Sequence, residues 1–203
     1  MLSLSYVKKN NIFFSHIKEY GYTDKVLISA NSLLNNSKEI NSYQTEKLKK
    51  KSEAVAELAR KKSAAKKIYM RHLKIARILF ENNPLIIKAL ELNGKRAAKT
   101  NEFIIQVKGF YENALESDNV KTGFKQHGIT KLSLNEGLDL INDVSQFLRV
   151  VERVKGEAIK ATLEKKENLR EVYAWYSKFV KISKIALEDD PKELKKFTEM
   201  IKG

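Results

Sequence analysis

FLRVVERVKGEAIKATLEKKENLREVYAWYSKFVKISKIA, residues 147–186, decides the fold. Apolar side chains recur there in alternating steps of four and three, at Phe147, Val151, Val154, Ala158, Ala161, Val172, Trp175, Phe179, Ile182 and Ala186, with Lys165 and Asn168 in the two middle slots. Steps of that size return a side chain to the same face of a helix, and over this length they make a coiled-coil-like seam. No proline interrupts 131–189, and Gly137 and Gly156 are its only glycines.

The seam repeats earlier in the chain. Lys181-Ile182-Ser183-Lys184-Ile185-Ala186-Leu187-Glu188-Asp189-Asp190-Pro191 matches Lys74-Ile75-Ala76-Arg77-Ile78-Leu79-Phe80-Glu81-Asn82-Asn83-Pro84 at an offset of 107. The same offset, carried upstream without a gap, pairs Tyr69 with Tyr176, Ala54 with Ala161, Ile17 with Phe124 and Gly21-Tyr22-Thr23 with Gly128-Ile129-Thr130. A fixed period is the mark of a repeated structural unit. We therefore expect one helical repeat at 12–96, a joining helix at 97–118 and a second repeat at 119–203, packed as one composite bundle. The earlier seam holds Ala54, Leu58, Ala65, Ile68, His72, Ile75 and Leu79 but is diluted by Lys47, Lys51 and Lys61, so the first copy is expected to be the looser.

The paired positions have a mechanical reading. Gly21 and Gly128 suit the left-handed residue after a helix, and Thr23 and Thr130 suit the N-cap of the next. Asn83-Pro84 and Asp190-Pro191 place a capping side chain before a proline at the first helical position, and Glu193 is placed to close a capping box with Asp190. Asn35-Asn36-Ser37 and Asn142-Asp143 leave two alternatives open, a single long helix or a hairpin bent there. The fold expected is all-α with no β-sheet.

Composition narrows the function classes. The 203 residues include no cysteine, two prolines and eight glycines, and 42% are hydrophobic. Disulfides, thiolate zinc sites and a cysteine nucleophile are excluded. The leading residues lack a basic-then-apolar signal, and no apolar run is long enough to cross a bilayer, so a cytoplasmic protein without membrane insertion is expected. Val7, Ile12, Phe13 and Phe14 beside Lys8 and Lys9 read as a segment docked on the bundle. His16, His72 and His127 do not share a seam with one another or with carboxylates, so no metal site is expected. His72 aligns with Phe179 and reads as a core-flanking ring, and His127 aligns with Tyr20. With no glycine-rich phosphate loop and no nucleophile paired to a base, neither a cofactor, a small-molecule ligand nor catalysis is expected.

The net charge of +14 favours polyanionic partners at long range. Lys49, Arg60, Lys67, Arg71 and Lys74 fall on the helix face opposite the core, and Arg71 and Lys74 recur as Lys178 and Lys181. These seven are the candidate polyanion-binding residues. Glu53 and Glu57 border the stripe, and cations in the last turns of a helix also suit its dipole, which accounts for Lys74, Arg77, Lys181 and Lys184 without a ligand. Tyr173, Trp175, Tyr176 and Phe179 could stack on bases, but Trp175 and Phe179 sit on the seam and read as core, leaving Tyr173 to face outward.

Leu92-Asn93-Gly94-Lys95-Arg96, Phe110-Tyr111-Glu112-Asn113-Ala114-Leu115, Phe124-Lys125-Gln126-His127-Gly128-Ile129-Thr130, Gly156-Glu157-Ala158 and the segment ending in Asp189-Asp190-Pro191 together resemble a family of uncharacterised bacterial proteins with internally duplicated helical units. The resemblance covers nearly the whole chain, departs at Phe197-Thr198-Glu199-Met200, and implies a fold without implying an activity. The function expected is that of a non-catalytic helical interaction or scaffold protein, binding a protein partner or a second copy of itself. Sequence-nonspecific nucleic-acid binding through the basic face is the alternative.

Overall fold

The computed structural model describes Val7 and residues 10–202, with side chains as far as Ile201. Lys8 and Lys9 lie outside the described residues. Val7 is helical, and from residue 10 onward the described residues form α1 (Asn11–Glu19), α2 (Asp24–Leu79), α3 (Pro84–Ala89), α4 (Thr100–Glu116), α5 (Asp118–Gln126), α6 (Lys131–Ala186) and α7 (Pro191–Lys202). No strand occurs among the described residues.

Both long segments are unbroken helices of 56 residues, so neither bends at its asparagines. A polar side chain breaks a helix when it takes over a backbone hydrogen bond. Here Asn35, Asn36 and Asp143 are exposed to solvent. Ser29, Ser32, Ser42 and Thr45 donate to the carbonyl four residues back at 2.9–3.2 Å, which adds a bond without removing one.

The stop and start signals act in pairs. Gly21 and Gly128 have φ of +89° and +75°, conformations that a Cβ would oppose. The amides of Tyr22 and Ile129 donate back to Ile17 and Phe124, closing each helix end, and both side chains are buried. Asn10 and Ser117 accept from the amides of Phe13 and Val120, and Asn83 and Asp190 from those of Ile86 and Glu193. Thr130 caps α6 through its hydroxyl, which accepts from Ser133, whereas Thr23 contributes its backbone carbonyl to Leu27. The expected capping box is half formed. The Glu193 carboxylate turns away from the Asp190 amide to accept from Asn10 Nδ2 at 2.8 Å and Lys196 Nζ at 2.6 Å, bonds that hold its pKa below the usual carboxylate range.

Helices α1 and α5 have nine residues each, α2 and α6 have 56 each, and α3 and α7 both begin on proline. Each start lies 107 positions from its counterpart. The compact units nevertheless cut across the sequence repeats. A terminal unit comprises residues 1–48 with 158–203, and a central unit comprises residues 49–157. Each takes one half of α2 and the opposite half of α6.

In the central unit, Tyr69, Leu73, Ala76 and Phe80 of α2 pack with Leu134, Ile141 and Val144 of α6 and with the buried stripe Phe103, Val107, Phe110, Tyr111 and Ala114 of α4. Edge-to-face ring pairs run through it, Tyr69–Phe110 at 5.3 Å and Phe80–Phe124 at 5.6 Å. In the terminal unit, Phe13 and Ile17 of α1 and Leu27 and Ala30 of α2 meet Phe179, Leu187 and Phe197. Phe13 stacks on Phe197 at 5.1 Å and Trp175 on Phe179 at 5.1 Å. The two middle polar residues of the seam fall in this unit. Lys165 donates to Gln44 at 3.4 Å, and Asn168 is buried with Oδ1 lacking a partner. Lys61, which dilutes the earlier seam, is half-buried in the central unit and bonds to Asp143 at 2.6 Å, and that bond raises its pKa.

Ser183 is 0% exposed and its hydroxyl has no partner, while its counterpart Ala76 is buried to the same degree. An unpaired buried hydroxyl costs about 1–3 kcal/mol. Ser183→Ala should therefore raise the unfolding free energy by about 1 kcal/mol, read as a higher urea midpoint at unchanged slope, and Ala76→Ser should lower it. An unchanged or lower midpoint for Ser183→Ala would contradict this account of the site.

Candidate functional site

The basic face divides when its side chains are placed. Lys49, Arg60, Lys67, Arg71 and Lys74 belong to the central unit, and Lys178 and Lys181 to the terminal unit. Lys49 lies 3.9 Å from Glu53, and Arg60 pairs with Glu57. Lys67, Arg71 and Lys74 are exposed, share one face of α2 and make no ion pair among the described residues, and the same holds for Lys178 and Lys181 on α6. Arg77 has a structural task instead. Its Nε donates to the Leu92 carbonyl at 2.5 Å and its terminal nitrogen to that of Gly94 at 3.3 Å. Arg96 donates from the same loop to the Tyr69 hydroxyl at 2.7 Å and to the Asn93 carbonyl at 2.6 Å. Two guanidiniums thus hold the segment between α3 and α4 against α2.

The aromatic group divides as well. Phe179 is buried, Trp175 and Tyr176 are half-buried, and Tyr173 is 61% exposed. His72 lies in the central core, its Nδ1 3.2 Å from the Tyr111 hydroxyl. Burial, with Arg71 adding repulsion, lowers the His72 pKa, and burial raises that of Tyr111. Both groups are neutral at pH 7, and the phenol is placed to donate to the ring. His16 approaches Asp190 at 3.9 Å, and His127, in the turn after α5, places its Nδ1 3.1 Å from the carbonyl of Gly123 within that helix. No group of three histidines and carboxylates suited to a metal occurs among the described residues, and no helix there is long and apolar enough to cross a membrane.

A feature that the seam reading passed over lies in the terminal unit. Lys25, Val26, Ser29, Ala30 and Leu33 of α2 and Trp175 of α6 line an open, largely apolar pocket of about 300 Å³. Positions 107 apart show what fills the matching place in the central unit. In the central unit α4 lies across both long helices. The Tyr111 ring lies where a Cβ on Gly137 of α6 would be, and Phe103 and Phe110 lie 6.1 and 5.3 Å from the ring of Tyr69 on α2. Lys62 holds the start of α4, donating to the Ala98 carbonyl and the Thr100 hydroxyl at 3.0 and 3.2 Å. The counterparts of Gly137, Leu140 and Tyr69 are Ala30, Leu33 and Tyr176, the first two in the wall of the pocket. Tyr69 is completely buried, yet Tyr176 is only half-buried. Val7, 107 positions from Ala114 of α4, is helical and buried in the terminal core as Ala114 is in the central one.

Compared with family models, with curated proteins and with solved structures, the chain matches none.

The buried histidine predicts a pH dependence whose sign follows from burial. His72 has a folded pKa below its ordinary value of 6.5, so the unfolded chain takes up its proton first. Stability contributed by the neutral ring is complete above about pH 6.5 and is lost as pH falls toward the folded pKa. The stability difference between pH 8 and pH 5 should be smaller in His72→Phe than in the native chain, measured by urea unfolding at both values. An equal difference would contradict a depressed His72 pKa.

Proposed function

We propose that this chain is a non-catalytic helical interaction protein of the cytoplasm, built by internal duplication, which binds a protein partner through its terminal unit. The observation that carries the reading is the largely apolar pocket lined by Val26, Ala30, Leu33 and Trp175. Exposed apolar surface bounded by polar residues is the usual footprint of an interaction site, because water leaves it at little cost when a partner arrives. The helix starts recurring 107 residues apart support the duplication. Against a small-molecule site, the groove offers one charged group, Lys25, and no converging set of donors and acceptors to orient a ligand.

The test is a photoreactive benzoylphenylalanine at position 29, on the rim of the groove, compared with one at position 31, exposed elsewhere on α2. Irradiation in cells that make the protein naturally should give discrete adducts from position 29 and not from position 31. Equal labelling from the two, or none from either, would remove the interaction reading.

A second reading rests on Lys67, Arg71 and Lys74, three cations on one face without carboxylate partners among the described residues. Such a stripe can follow a phosphate backbone without reading bases. Anisotropy titrations of labelled random-sequence duplex and single strands, at low and near-physiological salt, should show salt-sensitive binding lost when Arg60, Lys67, Arg71 and Lys74 are reversed to glutamate. Equal binding by the variant would make the stripe an ordinary solvated face.

A further inference from the structure

We infer that Asn93-Gly94, in the loop between α3 and α4 of the central unit, is a site of spontaneous covalent modification, at which Asn93 converts to isoaspartate or aspartate with Arg96 promoting the reaction. This is the chain's only Asn-Gly pair. An asparagine side chain closes a ring on the next backbone nitrogen most easily when that residue is glycine, which has no side chain to crowd the ring. Both residues are exposed and outside any helix, and nothing lies within 4 Å of where a Cβ on Gly94 would stand. The Gly94 nitrogen makes no backbone hydrogen bond among the described residues, so its proton is open to solvent base. Gly94 has a φ of +81°, a conformation that favours glycine, so the backbone of this loop itself calls for the reactive pair.

Arg96 supplies the other half of the chemistry. Its Nη2 donates to the Asn93 carbonyl oxygen at 2.6 Å, while Nη1 is anchored on the Tyr69 hydroxyl at 2.7 Å. That carbonyl and the Gly94 nitrogen belong to one peptide group. When the nitrogen loses its proton, the negative charge is shared with the oxygen that Arg96 holds, so the guanidinium stabilises the nucleophile. Arg77 adds a second positive charge, donating to the Gly94 carbonyl at 3.3 Å. The nitrogen then attacks Cγ of Asn93, the bond from Cγ to the side-chain nitrogen breaks, and that nitrogen takes up a proton and leaves as ammonia. The proton gained by the leaving group balances the one lost from Gly94, and a cyclic succinimide remains. Water opens the ring: addition at Cγ gives aspartate, and addition at the former main-chain carbonyl carbon gives isoaspartate. One water is consumed and one ammonia released, with no change of oxidation state. In isoaspartate the new carboxylate includes the oxygen that Arg96 already holds, so a guanidinium–carbonyl bond becomes a guanidinium–carboxylate pair.

The test incubates the full-length protein at neutral and mildly alkaline pH and follows the tryptic peptide 89–95 by mass spectrometry, with electron-transfer fragmentation to separate isoaspartate from aspartate. Asn93 should convert progressively, and faster at the higher pH, while Asn35, exposed on α2 and followed by another asparagine, stays an amide. Arg96→Gln should slow the conversion roughly tenfold, the loss of one charge-assisted hydrogen bond to the reacting group. Arg96→Lys, which keeps the charge, should recover part of that rate, a rescue that a purely structural role for Arg96 would not give. An Asn93 that remains an amide, or one that converts no faster than Asn35, overturns the proposal. So does a rate in Arg96→Gln equal to or above that of the native chain, which would mean that Arg96 restrains the loop instead of activating it, and so does the absence of any recovery in Arg96→Lys.

Discussion

The structure depends on one constraint: a long helix with an apolar stripe and no breaker has to bury that stripe against something else. Neither α2 nor α6 can fold back on itself, because nothing within 24–79 or 131–186 ends the helix. Each therefore needs a partner of comparable length, and the available one is the other. In the terminal unit Gln44 faces Lys165 while the groove places Ala30 beside Trp175, so the pairing is antiparallel; in the central unit Lys61 meets Asp143. The N-terminal half of one long helix thus always packs with the C-terminal half of the other. Two compact units follow from this, neither of them a sequence repeat. The corners at Gly21 and Gly128 and the caps at Asn83 and Asp190 then fold the short helices onto the ends of the long ones.

Much of this was legible because the determining interactions are local. Glycines with positive φ, a proline at the first turn and a side-chain oxygen three residues ahead of an amide act over a handful of residues, so matching them in two places set the helix boundaries. The identity of the packing partner was not legible. A three-four stripe shows that a face is buried and leaves open what buries it, so compact units that each take half of each long helix could not be read from it. The asparagines at 35, 36 and 142 show the same limit. They favour turns in isolation, but each is one weak preference within a helix held by its neighbours and by tertiary packing.

The candidate surfaces were legible in proportion to how local their chemistry is. Glu53 and Glu57 stand at helical spacing from Lys49 and Arg60, so the neutralisation of that half of the stripe could be anticipated, and Lys67, Arg71 and Lys74 are what remains. Arg77 could not be separated from the other cations, since its partners are carbonyls of a loop 15 and 17 residues away. Trp175 was placed correctly on the seam. Its half-exposure depends on what other parts of the chain pack beside it, which no pattern within 131–186 records.

The central unit shows what a third helix laid across the long pair requires. Thr100–Glu116 covers that face, and the face has the features that suit it: a glycine to admit Tyr111, a histidine to meet its hydroxyl, and a lysine for the first turn. At the positions 107 residues away these are alanine, phenylalanine and leucine, each more apolar than its counterpart. Ala30 and Phe179 are buried, Phe179 among the rings of Phe13, Tyr22, Trp175 and Phe197. Matched positions are thus buried in both units by different means: in one beneath a phenol that needs a glycine and a hydrogen-bond partner, in the other among apolar side chains that need neither.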